Sequence, residues 1–200
     1  MHFLCNRYGE TVEELKLEAK TTALVIIDLQ NAIMARDTKP YAPLAVAANA
    51  AKLAAALRGA GGTVAYVHVL LNEVQRLPAD RAVPAPAEPL PATAWAIVPE
   101  AGMQAGDLDI AKRSWSAFTG TSLDQQLRRK GIRTIVMAGV ATNIGVESTA
   151  RAAQELGYEL VFAEDAMTSL SEAWHKFSTE NIFPMMGKVR SSAEIAAAIH

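Results

Sequence analysis

Residues 134–157, TIVMAGVATNIGVESTARAAQELG, constrain the fold more than any other stretch. Ile135-Val136-Met137-Ala138 is an apolar run of strand length and composition. Gly139 breaks it, and Val140-Ala141-Thr142-Asn143 forms a small, partly polar turn. From about Gly145 the pattern becomes helical, because Val146, Thr149, Ala150, Ala153 and Leu156 recur at three- and four-residue steps and make one apolar stripe. Gly157 is the helix stop. Strand, tight turn and helix make half of a βαβ unit. The first turn of such a helix aims unpaired N–H groups at whatever sits above the strand, which suits an oxyanion or a carboxylate. Every α/β protein has several such turns, and most carry no chemistry, so the turn needs neighbours before it means anything.

The rest of the chain repeats the alternation. Ala23 to Ile27 is a continuous apolar run, the mark of a strand buried on both faces of a parallel sheet, and Asp28 follows it directly. Leu44 to Arg58 is an Ala-rich helix closed by Gly59, Gly61 and Gly62. Thr63 to Val69 is a second strand with His68 near its end. Pro78, Pro84, Pro86, Pro89, Pro91 and Pro99 exclude a long helix from residues 77–100, which read as a long connection wrapping the surface or covering a site. Asp107 to Ala111 is a short strand leading to Lys112, and Thr121 is placed to cap a helix from Ser122 to Lys130. Tyr158 to Ala163 (strand), Ser171 to Ile182 (helix, with Ser171 as cap), Lys188 to Arg190 (strand) and Ala193 to Ile199 (helix) complete the order. Residues 1–20 read as a peripheral arm with a short helix over Glu10–Leu17, and residues 21–200 as a single domain. The alternation predicts a three-layer αβα fold, a parallel sheet with helices on both faces.

Composition removes whole classes of function. The net charge is −2 with no basic block, which excludes nucleic acid and anionic membrane as partners. No apolar run approaches the roughly eighteen residues of a membrane span. Met1 to Lys20 carries Arg7, four Glu and two Lys with no apolar core, so no leader is expected. The single cysteine, Cys5, rules out an internal disulfide and fits a reducing, cytoplasmic setting. There is no G-x-G-x-x-G after the first strand, no P-loop and no G-x-S-x-G elbow. His2, His68, His175 and His200 are scattered, so neither a metal nor any other cofactor is implied. What remains is a set of three strand-end features: Asp28, Lys112 and the turn before Gly145. In a parallel sheet they share one rim. Asp beside Lys is a coupled acid–base pair, in which lysine favours the charged carboxylate and burial opposes it.

The motifs Ile26-Ile27-Asp28-Leu29-Gln30, Lys112 with Trp115-Ser116-Ala117-Phe118 and Thr121-x-Leu123, Gly139 to Arg151, and Asp165-Ala166 occur in an order that resembles the isochorismatase-like hydrolase superfamily over residues 21–196. The resemblance implies a Rossmann-like six-stranded parallel sheet ordered 3-2-1-4-5-6, and a homodimer or homotetramer. It implies Asp28 as the acid or base, Lys112 as its partner, a cis peptide at Val140–Ala141, and backbone N–H groups of Ala141 and Gly145 as oxyanion donors. Trp115, Phe118, Thr142 and Asn143 are the implied substrate-pocket residues. The amidohydrolase members place a nucleophilic cysteine where this chain has Gly145. Three readings stay open. The protein is a cysteine-independent hydrolase of a small anionic or amide-bearing molecule, like the isochorismatases that also carry glycine. It is a natural or engineered Cys→Gly form of an amidohydrolase. Or it is a non-catalytic binding protein on the same scaffold. Ala141-Thr142-Asn143 and Val146 to Arg151 look more like the cysteine enzymes, and Val69-Leu70 stands where the siderophore isochorismatases have Gln-Pro.

Overall fold

The computed structural model describes residues 4–5, 11–12, 14–81 and 85–200. Its centre is a six-stranded sheet: β1 (Thr22–Ile27), β2 (Thr63–Val69), β3 (Leu108–Lys112), β4 (Thr134–Val140), β5 (Glu159–Thr168) and β6 (Gly187–Arg190). Their spatial order is β3-β2-β1-β4-β5-β6, every pair parallel, which is the expected 3-2-1-4-5-6. All six residues of β1 are buried, as its uninterrupted apolar run requires of a central strand covered on both faces.

Successive β1 residues feed opposite cores, since side chains alternate across a strand. Leu24 and Ile26 join one cluster with Tyr66, Val136 and the helix α2 (Pro43–Gly59). Ala23, Val25 and Ile27 join the other with Met137, Leu127 of α3 (Leu123–Arg129), and Ala150 and Ala153 of α4 (Glu147–Glu155). On α2, Ala47, Ala50 and Ala54 are fully buried, so the helix backbone lies close to the sheet. The short helices α1 (Asn31–Met34), α5 (Glu172–Phe177) and α6 (Ser192–Ala197) complete the layers. Among the described residues no helix is long and apolar enough to cross a membrane.

Several boundaries differ from the sequence reading, each for a local reason. Thr11–Val12 pairs antiparallel with Leu4–Cys5 instead of starting a helix; Glu10 and Glu13 of that expected helix lie outside the described residues. The inner end of the arm belongs to the core: Leu17 is buried, its amide donates to Ala198 O at 2.9 Å, and the His200 amide returns to Leu17 O at 3.1 Å. Strand β5 runs on to Thr168, with a register shift between Met137 and Gly139 on its neighbour. Gly139 has φ 116°, and a Cβ there would stand 2.1 Å from Ile27 O on the adjacent strand, so its ladder position beside Ile27 accepts only glycine. Residues 142–146 form a wide turn in which Val146 N reaches Ala141 O, so α4 starts at Glu147, two residues later than expected. The helix expected over 171–182 is α5 followed by a wide turn at Ser178–Ile182, and Ser171 makes no side-chain cap. Thr121 does support α3, its Oγ1 accepting from Leu123 N at 3.2 Å.

Candidate active site

Asp28 ends β1 with φ 54°, a left-handed conformation uncommon outside glycine. That turn is held by its own amide, which donates to Val67 O at 2.8 Å, and by Gln30. The buried Gln30 amide donates to Val69 O at 3.0 Å and accepts from Val69 N at 2.7 Å, so the ends of β1 and β2 are stitched in both directions. The Asp28 side chain therefore leaves the sheet axis at the rim, where it meets Lys112 at the end of β3. Lys112 Nζ lies 2.9 Å from Asp28 Oδ2 and donates a second bond to Trp115 O at 2.8 Å.

The pair is nearly dry, with Lys112 1% and Asp28 7% exposed. Burial pushes the Asp28 carboxyl up to about 6, against the lowering pull of Lys112 and, more weakly, His68. The question open in the sequence is thus decided in favour of desolvation. Asp28 Oδ1 has no hydrogen-bond partner, and Asp28 lines a cavity.

Gly145 stands directly over this pair. A Cβ placed on it would lie 3.1 Å from Lys112 Nζ, 3.1 Å from Ile27 Cγ2 and 3.3 Å from Asp28 Oδ2. The peptide Val140–Ala141 is cis. The Trp115-containing segment is tied down over Gly145 by Thr149, whose hydroxyl donates to Gly145 O at 2.7 Å and accepts from Ala117 N at 3.0 Å.

The cavity holds about 430 Å³ and is lined by Asp28, Lys112, Val140, Ala141, Ile144, Gly145 and Trp115, and by a wall from the long β2–β3 connection that includes Leu71, Val74, Arg76, Leu77 and Arg81. Five of the residues expected from the sequence (Asp28, Lys112, Gly145, Val140 and Ala141) thus meet, and the Trp115 ring, 65% exposed, joins them as a wall. Phe118 does not. Its ring packs beside Tyr158 at a centroid distance of 5.9 Å and against the second core cluster, so it serves as a core contact. Thr142 and Asn143 also turn away from the cavity: Asn143 Oδ1 accepts from Ser169 Oγ, and Thr142 is fully buried against His175. Trp95, from the same connection, lines a separate groove with His68 and Asp109, whose Nδ1 and Oδ1 are 3.0 Å apart.

His175, one of four histidines scattered through the sequence, is the buried centre of a partly exposed polar chain behind the turn. Thr142 Oγ1 is 2.8 Å from His175 Nδ1, His175 Nε2 is 2.9 Å from Glu164 Oε1, and Tyr41 Oη donates to Glu164 at 2.9 Å. An ionised Glu164 only accepts, so in the neutral ring Nε2 carries the proton and Nδ1 accepts from Thr142. Burial and Glu164 push the Tyr41 phenol up to about 12, which keeps it a donor. A sequence signal exists, since His175 falls on an inward position of α5, but its partners are 33 and 11 residues away and carry no local mark.

Among the described residues no group of three or more His, Cys, Asp or Glu could hold a metal ion.

These features match those of a known class. The isochorismatase domain model fits residues 22–194, and the chain belongs to the isochorismatase family, whose members are hydrolases. It is 46% identical over 189 residues to the isochorismatase family protein YecD of Escherichia coli O157:H7, covering 92% of this chain and 100% of that one. It is 33% identical over 203 residues to the ureidoacrylate amidohydrolase RutB of Variovorax paradoxus, covering 88% of this chain and 81% of the relative. The crystal structure of an isochorismatase family protein from Burkholderia thailandensis superposes with a TM-score of 0.88 at 39% identity, covering 93% of this chain and 98% of that one.

Proposed function

We propose that the protein is a thiol-independent hydrolase of a small molecule with an amide-type C–N bond, using Asp28 to activate water. One observation carries the reading. The position over the ion pair where a nucleophile belongs is occupied by a glycine, whose added Cβ would lie 3.3 Å from Asp28 Oδ2, so the missing side chain leaves space for a water beside the carboxylate. A water there is within reach of a base whose proton affinity sits near neutrality, which suits general base catalysis. Water oxygen attacks the carbonyl carbon as its proton passes to the Asp28 carboxylate. The tetrahedral intermediate collapses, the C–N bond breaks, and the nitrogen leaves with the proton that Asp28 held. Lys112 holds Asp28 Oδ2 in place through its 2.9 Å contact, and the amides of Ala141 and Gly145 are the assigned donors to the developing oxyanion. The ureidoacrylate amidohydrolase relative supports a C–N bond as the one cut.

A second reading uses the same carboxyl as an acid. Its raised proton affinity leaves part of Asp28 protonated below about pH 6, able to protonate a vinyl ether before water attacks. The pH–rate profile separates the two. Base catalysis predicts kcat/KM rising through about pH 6 to a plateau, acid catalysis predicts it falling above the same point. The test is turnover of ureides, simple amides and isochorismate by the wild type and Asp28→Asn. Loss of all turnover in the folded variant is expected. Full turnover without the carboxylate would remove Asp28 from the reaction.

A further inference from the structure

Two guanidinium groups on the cavity wall have no part in the reaction just described. Arg36, one residue beyond the turn after α1, and Arg81, on the β2–β3 connection, both line the cavity and are exposed. Neither makes an ion pair or a side-chain hydrogen bond among the described residues. A third, Arg76, is spent as a strut, donating to Leu71 O at 2.9 Å and Val74 O at 3.1 Å, and so shapes the wall while keeping its charge. Arg113, which lies outside the lining, is by contrast paired with Glu73 at 2.6 Å. Among the described residues Asp28 is the only acid lining the cavity, and Lys112 already neutralises it. A cavity in a chain of net charge −2 therefore presents three uncompensated positive charges.

The rest of the wall is apolar. Ile33, Val69, Leu71, Val74, Leu77 and Trp115 face the same space, whose volume of about 430 Å³ exceeds what a three-carbon acid fills. Guanidinium groups take carboxylates in paired hydrogen bonds, and an apolar wall gains from a hydrocarbon body. We infer that the ligand of this cavity is an amphipathic carboxylate, an aryl or branched hydrocarbon body carrying one acid group held by Arg36 and Arg81. The inference rests on the proposed hydrolase only in taking this cavity as the substrate site. It names the class of amide or ureide to be tried.

Binding is measured without turnover, by calorimetry with phenylacetate, its neutral analogue 2-phenylethanol, and acetate. Phenylacetate is expected to bind at least about tenfold more tightly than either other probe, since only it satisfies both wall types. Added salt should weaken it, because exposed charges are screened. Arg36→Gln combined with Arg81→Gln should remove the preference over 2-phenylethanol. Arg36→Lys with Arg81→Lys should keep part of it, as charge without the fork. Both positions are exposed and unpaired, so the variants fold. Equal affinity for phenylacetate and 2-phenylethanol in the wild type would overturn the inference, as would a preference that survives the double glutamine variant. Asp28-dependent hydrolysis of a neutral amide would leave the reaction standing under either result, and a bound carboxylate with nothing hydrolysed would leave the ligand class standing and remove the reaction.

Discussion

The raised proton affinity of Asp28 has a thermodynamic consequence that needs no substrate. An ordinary carboxyl at 3.8 in the unfolded chain becomes one at about 6 in the folded protein. Between those values the folded state holds the proton more tightly, so it binds more protons than the unfolded state, and unfolding free energy falls as pH rises. The stabilisation is complete below the unfolded value and is lost as pH climbs through the folded one. A rise from 3.8 to about 6 corresponds to about 3 kcal/mol. Other carboxyls act in the opposite sense: Ser191 lowers Glu194, and Lys176 lowers Glu172. The contribution of Asp28 is isolated by comparison with Asp28→Asn, which does not titrate. Urea unfolding of both proteins from about pH 4 to about pH 7.5 should show the variant gaining on the wild type by about 2 kcal/mol, because at pH 4 the unfolded carboxyl is already partly ionised. A wild-type-minus-variant difference that stays flat, or that grows towards neutral pH, would refute the argument that desolvation outweighs Lys112.

Other perturbations follow from the spacings around the turn. Gly139→Ala must place a methyl 2.1 Å from Ile27 O at φ 116°, and a loss of more than about 3 kcal/mol is expected, read as a collapse of the melting temperature or of soluble yield; a well-folded variant would contradict the close approach of Gly139 to Ile27. Thr142→Val keeps the shape of the side chain but removes the donor to buried His175 Nδ1, with an expected cost of about 1–3 kcal/mol by denaturant titration, and Thr142→Ser should recover most of it. Gly145→Ala puts its methyl 3.1–3.3 Å from three atoms. Stability should change by less than about 1 kcal/mol, since the lower entropy of the unfolded chain offsets the crowding, while turnover falls at least about 100-fold because the methyl fills the space assigned to water.

The sheet is legible in the sequence because its signals are local. Ala23 to Ile27 is apolar without a break, and a strand of that kind has to be central, which the burial of every β1 residue bears out. The meeting of Asp28 with Lys112 is legible for the same reason: both follow strand runs, and parallel strands present their ends on one rim. What stays hidden depends on partners distant in sequence. Phe118, placed in the pocket by the family resemblance, instead packs by Tyr158, a residue beyond α3, β4 and α4. His175 looks isolated because neither Thr142 nor Glu164 lies within a helical step of it. The late start of α4 goes with the wide turn from Ala141, and the extra length of β5 with the register shift between Met137 and Gly139, neither of which the apolar periodicity marks.

The ladder between β2 and β3 pairs His68 with Ala111 and Val69 with Lys112. The ammonium group is therefore located by strand register, and a one-residue slip would turn it to the opposite face. Residues 71–81 of the connection between those strands contribute Leu71, Val74, Arg76, Leu77 and Arg81 to the cavity, whereas its two ends hold the ion-pair segments, Leu70 N donating to Lys112 O and Val98 N to Leu29 O, each at 2.9 Å. Selectivity and reactivity are thus carried by separable pieces of chain. Residues 71–81 can be lengthened, shortened or exchanged between Leu70 and the 93–98 segment, and the ion pair would stay in place beneath whatever new wall is grafted above it.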